Sequence, residues 1–489
     1  MVRPTGIEPV TYGSVDRHSI QLSYGRTTLI VLCFLLHASA VCVEKQLRSL
    51  RRRSDSRIIS DEMNTDIDVC VIGAGAAGAM AALSASKVLD GLGLTAMSVA
   101  VLERNQVLGK KLGITGEGRA NLTNDSSPTE LVEAFGEDGR FLYPCFSLFS
   151  PDDLVDVLRE AGLAVKTERG GRVFPVTDRA ADVVQALGFL LSKVGVRLRY
   201  SSRVTGVVPL DEGLQVAVEN GESIRAGAVV LATGGKSYPT TGSTGDGYRI
   251  LGNLGHHISP VLPGLVPLYC EDWWLGGLEG VSLQGVALEA RTGGRIIGRI
   301  VGEVMITRRG IGGPAALSMS LAVVPHIAQG ECVALALDLR PAKSMEEVCR
   351  EVTACHSGQG VQKYLYAFLP RRFADAVLDR WDIDGSSTMV LSRKTLGMAA
   401  ALVKNTEWTC SGSGPLASAI VTVGGVSLRE IDPRSMQSRL VPGLFVAGEV
   451  LDLQARTGGF NLQAAFSTGF LAGKSAAEYV AKQRKHDKL

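Results

Sequence analysis

The stretch DVCVIGAGAAGAMAAL, residues 68–83, constrains the fold more than any other part of the chain. Its first residues are apolar and β-branched, which predicts a short buried strand over Asp68–Ile72. Gly73, Gly75 and Gly78 then complete a G-x-G-x-x-G pattern, and the small residues that follow predict a helix. A strand that passes through a glycine turn directly into a helix is the context in which this pattern binds a dinucleotide.

The three glycines have separate physical roles. Gly73 permits the tight turn, Gly75 lets backbone N–H groups reach a pyrophosphate, and Gly78 lets the helix and strand pack closely. The helix N-terminus adds N–H donors and a favourable dipole for the phosphate charge. A second strand is predicted over Met97–Leu102, and Glu103 at its end can accept hydrogen bonds from both ribose hydroxyls. The alternative is a glycine-rich turn in some other α/β protein, but the strand, the helix and the terminal acid together favour a dinucleotide site.

Later stretches favour FAD over a nicotinamide nucleotide. Gly109–Asn124, GKKLGITGEGRANLTN, offers backbone donors and cations to a ligand held along an extended path, as the long FAD molecule requires. Residues 228–235, AVVLATGG, predict a buried strand that breaks at two glycines beneath the dinucleotide, and a strand near Val204 can lie against the adenine. Towards the C-terminus, residues 443–452, GLFVAGEVLD, predict a strand with an acidic end, and Arg456–Ala477 predicts a glycine turn that opens a long helix.

That last helix carries a chemical expectation. Its N-terminus, if aimed at the flavin pyrimidine, would stabilise negative charge on the reduced ring and ease hydride acceptance. An ordinary strand–turn–helix is the alternative for this stretch alone, whereas the order of all the motifs along one chain favours FAD. Gly412–Ala417 imitates a second fingerprint, but no apolar strand precedes it and Pro415 disrupts the turn. We therefore interpret it as a connector and expect no dedicated NAD(P)H domain, so a nicotinamide donor would bind transiently in the substrate cleft.

Together these motifs resemble the BaiN-like bacterial flavoprotein family of NAD(P)/FAD-dependent oxidoreductases. The resemblance extends from about Asp66 to Ala477 and rests on the segments VIGAGAAG, LGKKLGITGEGRANLTN, ATGGKSYPTTGSTGDGY, GEVMITRRGIGGPA, VTVGGVSLREIDP and GLFVAGEVLDLQARTGGFNLQAAFSTG. The chain departs from the family in two places. Ala120 stands where the family usually has Cys, and Arg308 stands where it often has His, so no role of that Cys or His is carried over.

The resemblance implies an α/β protein with a discontinuous, Rossmann-like FAD-binding domain and an inserted β-rich and helical domain. We place the two parts of the FAD-binding domain at residues 66–262 and 413–480, and the inserted β-barrel-like and helical substrate domain at 263–412. The residue patterns agree, because SLQGVALEAR and RIIGRIVGEVMIT predict a β-hairpin and the apolar spacing over 344–404 predicts helices.

The motifs and the resemblance together assign cofactor binding to the glycine turns, the polar loop after the second strand and the start of the last helix. The predicted cofactor-binding residues are Gly73, Gly75, Ala76, Ala77, Gly78, Glu103, Arg104, Lys110, Lys111, Thr115, Gly116, Gly118, Arg119, Asn121, Leu122, Val204, Ala232, Thr233, Gly234, Gly448, Glu449, Asp452, Gly458, Gly459, Asn461 and Leu462.

The first 62 residues form a leader that precedes the predicted FAD-binding domain. Its apolar part, Leu29–Val43, is shorter than the roughly 20 residues that span a membrane. Ala38-Ser39-Ala40 resembles a signal-peptidase site, but the segment before it is too long and polar for an ordinary signal peptide. Met63 lies just before the core strand, so we favour a wrongly assigned start codon. If the segment does span a membrane, the basic residues after it would leave the main domain in the cytoplasm.

Few other side chains have a pattern that indicates chemistry. His256 and His257 lack further ligands at metal-binding spacing, so a structural role is favoured over a proton donor near the flavin, and no metal site is predicted. The nine cysteines include no CxxC pair, which fits a reducing, cytoplasmic compartment and gives Cys349 and Cys355 no redox motif.

The Gly-Gly-Pro stretch after Arg308 and Arg309 leaves two interpretations open. These arginines can hold an anionic substrate group, or they can form the solvated end of a hairpin. Trp273 and Trp274 can line an apolar pocket, although an ordinary core or surface pair is the simpler interpretation. The sequence assigns no catalytic acid or base, because the flavin itself performs the difficult step.

The expected function is that of an FAD-dependent oxidoreductase that passes hydride through the flavin to or from a small organic substrate, with NAD(P)H as a transient donor. Alternatives are an FAD-dependent amine oxidase that uses O2, a flavin-dependent RNA-modifying protein, and a non-enzymatic flavin-binding scaffold. The net charge of +2 gives no case for a nucleic-acid partner, since RNA binding calls for a basic surface. The sequence does not indicate an oligomeric state.

Overall fold

The computed structural model describes residues 65–271, 274–380, 382 and 392–486. The interpretations made for the leader, for Trp273 and for the side chain of Cys355 fall outside these residues. The strands are β1 (Thr65–Ile72), β2 (Val99–Leu102), β3 (Thr123–Asn124), β4 (Val165–Glu168), β5 (Arg172–Pro175), β6 (Arg197–Arg199), β7 (Val204–Pro209), β8 (Leu214–Val218), β9 (Ser223–Leu231), β10 (Leu262–Gly264), β11 (Leu268–Cys270), β12 (Ser282–Thr292), β13 (Arg295–Thr307), β14 (Gly310–Gly312), β15 (Val333–Asp338), β16 (Thr406–Ser413), β17 (Val421–Val423) and β18 (Leu444–Val446).

The α-helices of the described residues are α1 (Ala76–Gly91), α2 (Pro128–Glu133), α3 (Tyr143–Leu148), α4 (Pro151–Glu160), α5 (Ala180–Lys193), α6 (Asp246–Asn253), α7 (Gly313–Ala328), α8 (Met345–Tyr366), α9 (Arg371–Arg380), α10 (Arg393–Lys404) and α11 (Phe460–His486). None of these helices combines the length and the apolar character that crossing a lipid bilayer requires.

The predicted first strand, β1, lies in the middle of a seven-stranded sheet. The strand order is β6–β2–β1–β9–β8–β7, and β18 pairs with the end of β9. The parallel register places Ile72 opposite both Leu102 and Leu231, and Leu231 opposite Val446. The carboxyl ends of β1, β2, β9 and β18 therefore finish level with one another. In open α/β sheets, ligands bind at this edge.

Helices α1 and α11 pack against each other over one face of this sheet, and small residues make the close approach possible. A Cβ added at Gly469 would lie 2.2 Å from the Ala77 carbonyl oxygen, and one at Gly473 would lie 2.0 Å from that of Ala81. The alanine-rich sequence of α1 is thus explained by the burial of its first ten residues, Ala76–Ala85, between the sheet and α11.

A second unit is built from six antiparallel strands that close into a barrel in the order β11–β14–β13–β12–β15–β16. The long hairpin β12–β13 is the one that the sequence predicts, and α7 packs against β13. Helices α8, α9 and α10 share an apolar core with the barrel, to which Leu288, Val304 and Phe373 belong. The predicted fold class is confirmed: an α/β, Rossmann-like sheet is accompanied by a separate β-rich and helical unit.

The chain crosses into the barrel between β10 and β11 and returns between β16 and β17. β10 and β17 pair with each other, with Leu262 opposite Val423. Gly412 and Ser413, which the sequence placed in a connector, are the last residues of β16 because they pair with β11. Leu265, at the outward crossing, is buried and has a left-handed φ of +54°. The domain boundaries given above stay a prediction.

Candidate functional site

A cavity of about 400 Å³ opens at the carboxyl edge of the main sheet. Its walls come from the β1–α1 turn, the loop after β2, the segment after β9, the loop after β18 and the first turn of α11. Most of the lining is apolar, and charged side chains such as Glu103, Lys111 and Glu449 occupy discrete points. Ligand sites typically have such a lining and occupy roughly 300–1,000 Å³.

The β1–α1 turn is tied to the end of β2. The Gly73 N–H donates to the Leu102 carbonyl oxygen at 2.8 Å, and the Ala74 N–H donates to Glu103 Oε2 at 2.8 Å. Gly73 has a φ of +100°, which L side chains rarely adopt. The first turn of α1 therefore begins at the cavity wall with its N–H groups available to a ligand.

Gly75 and Gly78 serve different purposes in this turn. A Cβ at Gly78 would lie 1.8 Å from the Gly73 carbonyl oxygen, so glycine is required there for close packing. Gly75 has an ordinary φ of −79°, and a Cβ added to it would meet nothing within 4 Å. Neither the backbone nor the surrounding protein demands glycine at that position. The open space in front of Gly75 fits a group that lies in the cavity and packs against the helix N-terminus.

Glu103 is buried, and the protein already uses most of its hydrogen-bonding capacity. Its Oε1 accepts from the backbone N–H and from Nδ2 of Asn105, both at 2.7 Å, and its Oε2 accepts from Ala74 N–H. A carboxylate offers about four lone-pair positions. About one position is therefore left for a ligand, so Glu103 has room for one ribose hydroxyl rather than the two expected from the sequence.

A polar network joins four chain segments at the cavity wall. Lys111 Nζ donates to Glu449 Oε2 and to Ser237 Oγ, both at 2.7 Å. Glu449 Oε1 accepts from the Thr422 N–H at 2.9 Å, and the Glu449 carbonyl oxygen accepts from Tyr248 Oη at 3.3 Å. Burial, together with the nearby Glu449 carboxylate, raises the pKa of Tyr248 well above its usual range, so this hydroxyl stays protonated. The network holds the end of β18 in place against the loop after β2.

The loop before α11 is held on both sides. Asn461 accepts from the Ala455 N–H and donates to the Ala455 carbonyl oxygen, each at 2.9 Å, while Asn124 Nδ2 donates to the Gly458 carbonyl oxygen at 2.9 Å. Gly459, with a φ of +100°, turns the chain into the helix. These bonds place the N-terminus of α11, with its favourable field for negative charge, on the cavity wall.

Most of the predicted cofactor-binding residues lie together on this wall. Those that line it are Gly73, Gly75, Ala76, Ala77, Glu103, Arg104, Lys110, Lys111, Thr115, Gly116, Asn121, Val204, Ala232, Thr233, Gly234, Gly448, Glu449, Gly458, Gly459, Asn461 and Leu462. They come from segments that are hundreds of residues apart in the chain, and their roles toward a cofactor stay predictions.

Gly78, Gly118, Arg119, Leu122 and Asp452 are not among the residues that line the wall. Leu122 is fully buried. Arg119 donates through Nη2 to Glu168 Oε1 at 2.5 Å and through Nε to Asp178 Oδ1 at 2.9 Å, and its guanidinium lies over the Phe174 ring.

These contacts give Arg119 a structural place beside the sheet formed by β3, β4 and β5. The hydrogen bond from Arg119 lowers the pKa of Glu168, which is consistent with a lasting pair. A direct contact between Arg119 and a cofactor would require this pair to open.

Sequence reasoning missed two groups of wall residues. One group, Ser202, Arg203, Thr241, Gly242, Ser243, Thr244 and Asp246, surrounds the end of the cavity near Glu103. The glycine-rich string GSTGDG, within a motif already recognised, was a local signal for part of it. The other group is apolar and includes Phe135, Leu265, Ile420, Val421 and Leu453. Val421 and Leu453 lie in two of the recognised segments, whereas Phe135, Leu265 and Ile420 lie in none of them and reach the cavity through tertiary contacts.

His256 has the structural place that the sequence favoured. Its side chain is fully buried, with Nδ1 2.9 Å from Glu430 Oε2 and Nε2 2.8 Å from Ser438 Oγ. Ser438 Oγ also accepts from the N–H groups of Leu440 and Val441, so the hydroxyl proton is directed to the imidazole. His256 is not among the residues that line the cavity, and the proton-donor alternative finds no support in this geometry.

Arg308 and Arg309 lie in the tight turn between β13 and β14. The Arg308 side chain is 84% exposed and faces Glu279 at 3.9 Å, while Arg309 stacks over Tyr269 at 4.2 Å. Neither is among the cavity-lining residues. The structure thus agrees with the hairpin-end interpretation. The described residues also contain no group of three or more His, Cys, Asp or Glu arranged to hold a metal ion.

The residues present fit the FAD expected from the sequence. Two helix N-termini face one cavity, the space before Gly75 is open, and Glu103 keeps a free acceptor position. Thr233 lines this cavity, but its Oγ1 faces Gly247, since a Cβ built on Gly247 would lie 2.0 Å from it.

Comparison with known proteins gives a consistent result. A family profile described as "HI0933-like protein Rossmann domain" matches residues 67–475. A 3-dehydro-bile acid delta(4,6)-reductase of Clostridium scindens is 30% identical over 416 residues, which cover 83% of this chain and 98% of that protein. A ribosomal RNA dihydrouridine synthase of Escherichia coli is 29% identical over 406 residues, which cover 82% and 96%. A solved 3-ketosteroid-delta4-(5alpha)-dehydrogenase from Rhodococcus jostii RHA1 superposes with a TM-score of 0.49 at 19% identity, covering 86% and 99%.

Proposed function

The chain belongs to the HI0933-like Rossmann-domain family and is a flavin-dependent oxidoreductase, and we propose that its flavin is FAD. We propose further that it reduces a carbon–carbon double bond conjugated with a carbonyl group in a small organic substrate, with NAD(P)H as the hydride donor. The family match confirms the family predicted from the sequence.

One observation carries the proposal of FAD. Glycine turns and helix N-termini from remote parts of the chain meet in one cavity, which also contains an acidic side chain with a free acceptor position. FMN has no adenosine ribose to engage that acid, whereas FAD has one. The space in front of Gly75 also supports a pyrophosphate there. The protein itself has room for a Cβ at this position, so a ligand that approaches the backbone closely gives a reason for glycine.

The choice of reaction rests on what the named relatives have in common. A delta(4,6)-reductase acting on a 3-dehydro-bile acid and a synthase of dihydrouridine both add hydrogen across a carbon–carbon double bond of a ring that carries a carbonyl group. This shared step, rather than either particular substrate, is what we transfer to the present chain.

The protein's own residues have definable roles in such a reaction. The chemistry that a bound FAD would supply here is hydride transfer between a nicotinamide and the double bond. The N-terminus of α11 supplies a field that favours negative charge beside it. Phe135, Leu265, Ile420 and Leu453 line the cavity with apolar surface, which limits the access of water and offers contact to an apolar substrate.

The test is a turnover experiment on the purified full chain. Without oxygen, NAD(P)H should be consumed only when a conjugated enone is added, and the product should lack the double bond by mass spectrometry. Oxidation of NAD(P)H that depends on O2 alone, or reduction of O2 to hydrogen peroxide when an amine is added, would support the oxidase alternative instead. A protein that binds no flavin would refute the proposal at its base.

A uridine in RNA is the second candidate substrate, and the likeness to the Escherichia coli dihydrouridine synthase favours it. The near-neutral charge of the chain gives RNA no strong electrostatic attraction. Incubation of the reduced enzyme with uridine-containing ribosomal RNA, followed by nucleoside mass spectrometry, separates the two. Dihydrouridine in the RNA, without reduction of small enones, would transfer the proposal to this substrate.

A further inference from the structure

The segment Tyr238–Asp246, here called the strap, follows β9 and borders the cavity on the side of Glu103. Its residues on the cavity wall are Thr241, Gly242, Ser243, Thr244 and Asp246. The backbone is left-handed at Tyr238, Gly242 and Gly245, with φ of +51°, +97° and +83°. The strap is therefore a tightly bent piece of chain whose course the rest of the protein must hold in place.

Two residues that directly follow Glu103 hold the middle of the strap. Asn105 Nδ2 donates to the Thr241 carbonyl oxygen at 3.0 Å. Arg104 Nη1 donates to the Gly242 carbonyl oxygen at 3.3 Å and to Thr244 Oγ1 at 2.6 Å. The contact is close, since a Cβ at Gly242 would lie 2.7 Å from Asn105 Nδ2.

Asp246 holds the end of the strap from two sides. It accepts from Arg104 Nη1 at 3.1 Å and from Arg203 through Nε and Nη2, both at 2.9 Å. Its side chain is only 15% exposed, so these charge-assisted bonds are partly shielded from water. The hydrogen bond from Arg203 lowers the pKa of Asp246, which keeps the carboxylate charged at neutral pH.

The two arginines belong to the segments that form this end of the cavity. Arg104 follows Glu103, and Arg203 lies between Ser202, whose N–H donates to the Glu103 carbonyl oxygen at 2.8 Å, and Val204. By bonding to both, Asp246 closes a ring of chain around the end of the cavity. A ligand that reaches Glu103 lies beside this ring, whose members Arg104, Arg203 and Asp246 line the cavity.

We propose that the strap encloses the adenosine half of the cofactor and that Asp246 is a specificity-determining residue, which makes the protein retain FAD in preference to FMN. The inference rests on the proposed function, because it requires a flavin in the cavity. It adds a residue that contacts no reacting atom: Asp246 acts by holding the strap closed.

The experiment compares the full-length holoprotein with its Asp246→Asn variant. After dilution, the rise of free flavin fluorescence gives the FAD dissociation rate, which should increase about tenfold, equivalent to about 1.4 kcal/mol. Titration of the apoprotein with ADP, which reproduces only the enclosed half, should show a similar loss of affinity, while FMN affinity should not change. Dissociation from the wild type should also accelerate with added salt, because salt screens partly exposed ion pairs.

Glu219→Gln provides the matched control. Glu219 pairs with Arg203 at 2.9 Å, but it is 59% exposed and is not among the cavity-lining residues. This variant should release FAD at the wild-type rate. Thr244→Val, which removes an acceptor of Arg104 while leaving Asp246 intact, should accelerate release to a smaller extent and guards against a folding defect of the first variant.

The possible outcomes separate the strap from the proposed function. A wild-type protein that binds no flavin defeats the proposed function itself. A wild-type protein that binds FAD, with an Asp246→Asn variant that folds and releases FAD and ADP unchanged, defeats the strap alone. An equal acceleration for FAD and FMN would also overturn the inference, because the effect would then not arise at the adenosine half.

Discussion

Replacing Gly75 or Gly78 by alanine adds the same methyl group at two points of the β1–α1 turn, and the structure predicts opposite consequences. At Gly78 the Cβ would lie 1.8 Å from the Gly73 carbonyl oxygen and 3.4 Å from Val71 Cγ1. The backbone must shift by more than 1 Å to restore an ordinary contact, and overpacking of this kind costs typically about 1–3 kcal/mol or more. Gly78→Ala should therefore fold poorly or lose at least about 3 kcal/mol of stability.

Gly75→Ala should behave differently because the new Cβ meets nothing within 4 Å and the φ of −79° suits alanine. A gain of about 0.4–1 kcal/mol from the less flexible unfolded chain offsets a similar loss from the weaker N-cap. The free energy of unfolding of the apoprotein should thus change by less than about 1 kcal/mol. The methyl group, however, occupies the space where we place the pyrophosphate. Each charge-assisted hydrogen bond lost there is worth about 1.5–3 kcal/mol, so flavin affinity should fall at least tenfold.

Urea denaturation of the apoproteins gives the stability, and titration with FAD, followed by quenching of its fluorescence, gives the affinity. Gly91→Ala is the matched control, because Gly91 lies at the other end of α1 and a Cβ there also meets nothing within 4 Å. It should leave FAD affinity unchanged and raise the free energy of unfolding by no more than about 1 kcal/mol, because alanine restricts the unfolded chain more than glycine does. Unaltered FAD affinity in Gly75→Ala would refute the placement of the pyrophosphate at this helix. A loss of stability as large as that of Gly78→Ala would show that Gly75 is needed for the fold.

Two other predictions concern buried groups outside the cavity. Burial raises the pKa of the Cys70 and Cys145 thiols to about 12, so the folded protein keeps protons that the unfolded chain releases above pH 9.0. The free energy of unfolding should be fully retained below that pH and should fall between pH 9 and 12 by about 1.4 kcal/mol per thiol and pH unit. The midpoints of urea denaturation at each pH measure this fall, and midpoints that do not change with pH would contradict the raised pKa. His256→Phe removes the partner of Glu430 and Ser438 and should cost about 1–3 kcal/mol with FAD affinity unchanged. Loss of FAD affinity without loss of stability would instead place His256 at the cofactor.

The local pattern of the sequence determined the β1–α1 unit and indicated its ligand class. The apolar strand, the glycine turn and the small-residue helix follow one another in consecutive residues. Contacts between residues close in the chain are enough to form this unit. The hairpin β12–β13 and the helices α8, α9 and α10 were predictable for the same reason. Their apolar periodicity depends on which face of each element is buried, and not on what lies against that face.

Only the tertiary structure decided how the site is assembled. Lys111 and Glu449 are 338 residues apart in the chain, and no local pattern indicates that they form an ion pair. The sequence treated Arg119 as free to reach a cofactor and Glu103 as free to bind two hydroxyls. In the folded chain, the Arg119 guanidinium donates to Glu168 and Asp178. The Glu103 carboxylate uses most of its acceptor positions for Asn105 and Ala74. The composition of a segment does not reveal these hydrogen bonds, because most of the partner residues belong to other segments of the chain.

The strap and the apolar wall illustrate the same division. The string GSTGDG lies in a segment that the sequence analysis used only for the family resemblance, and the folded chain brings Arg104 and Arg203 to Asp246. Leu265 and Ile420 come from the two crossings between the sheet and the barrel, and nothing near them in the sequence marks a ligand site. Short-range periodicity specifies elements, whereas the pairing of remote elements specifies which of their side chains meet, and function at this cavity depends on that pairing.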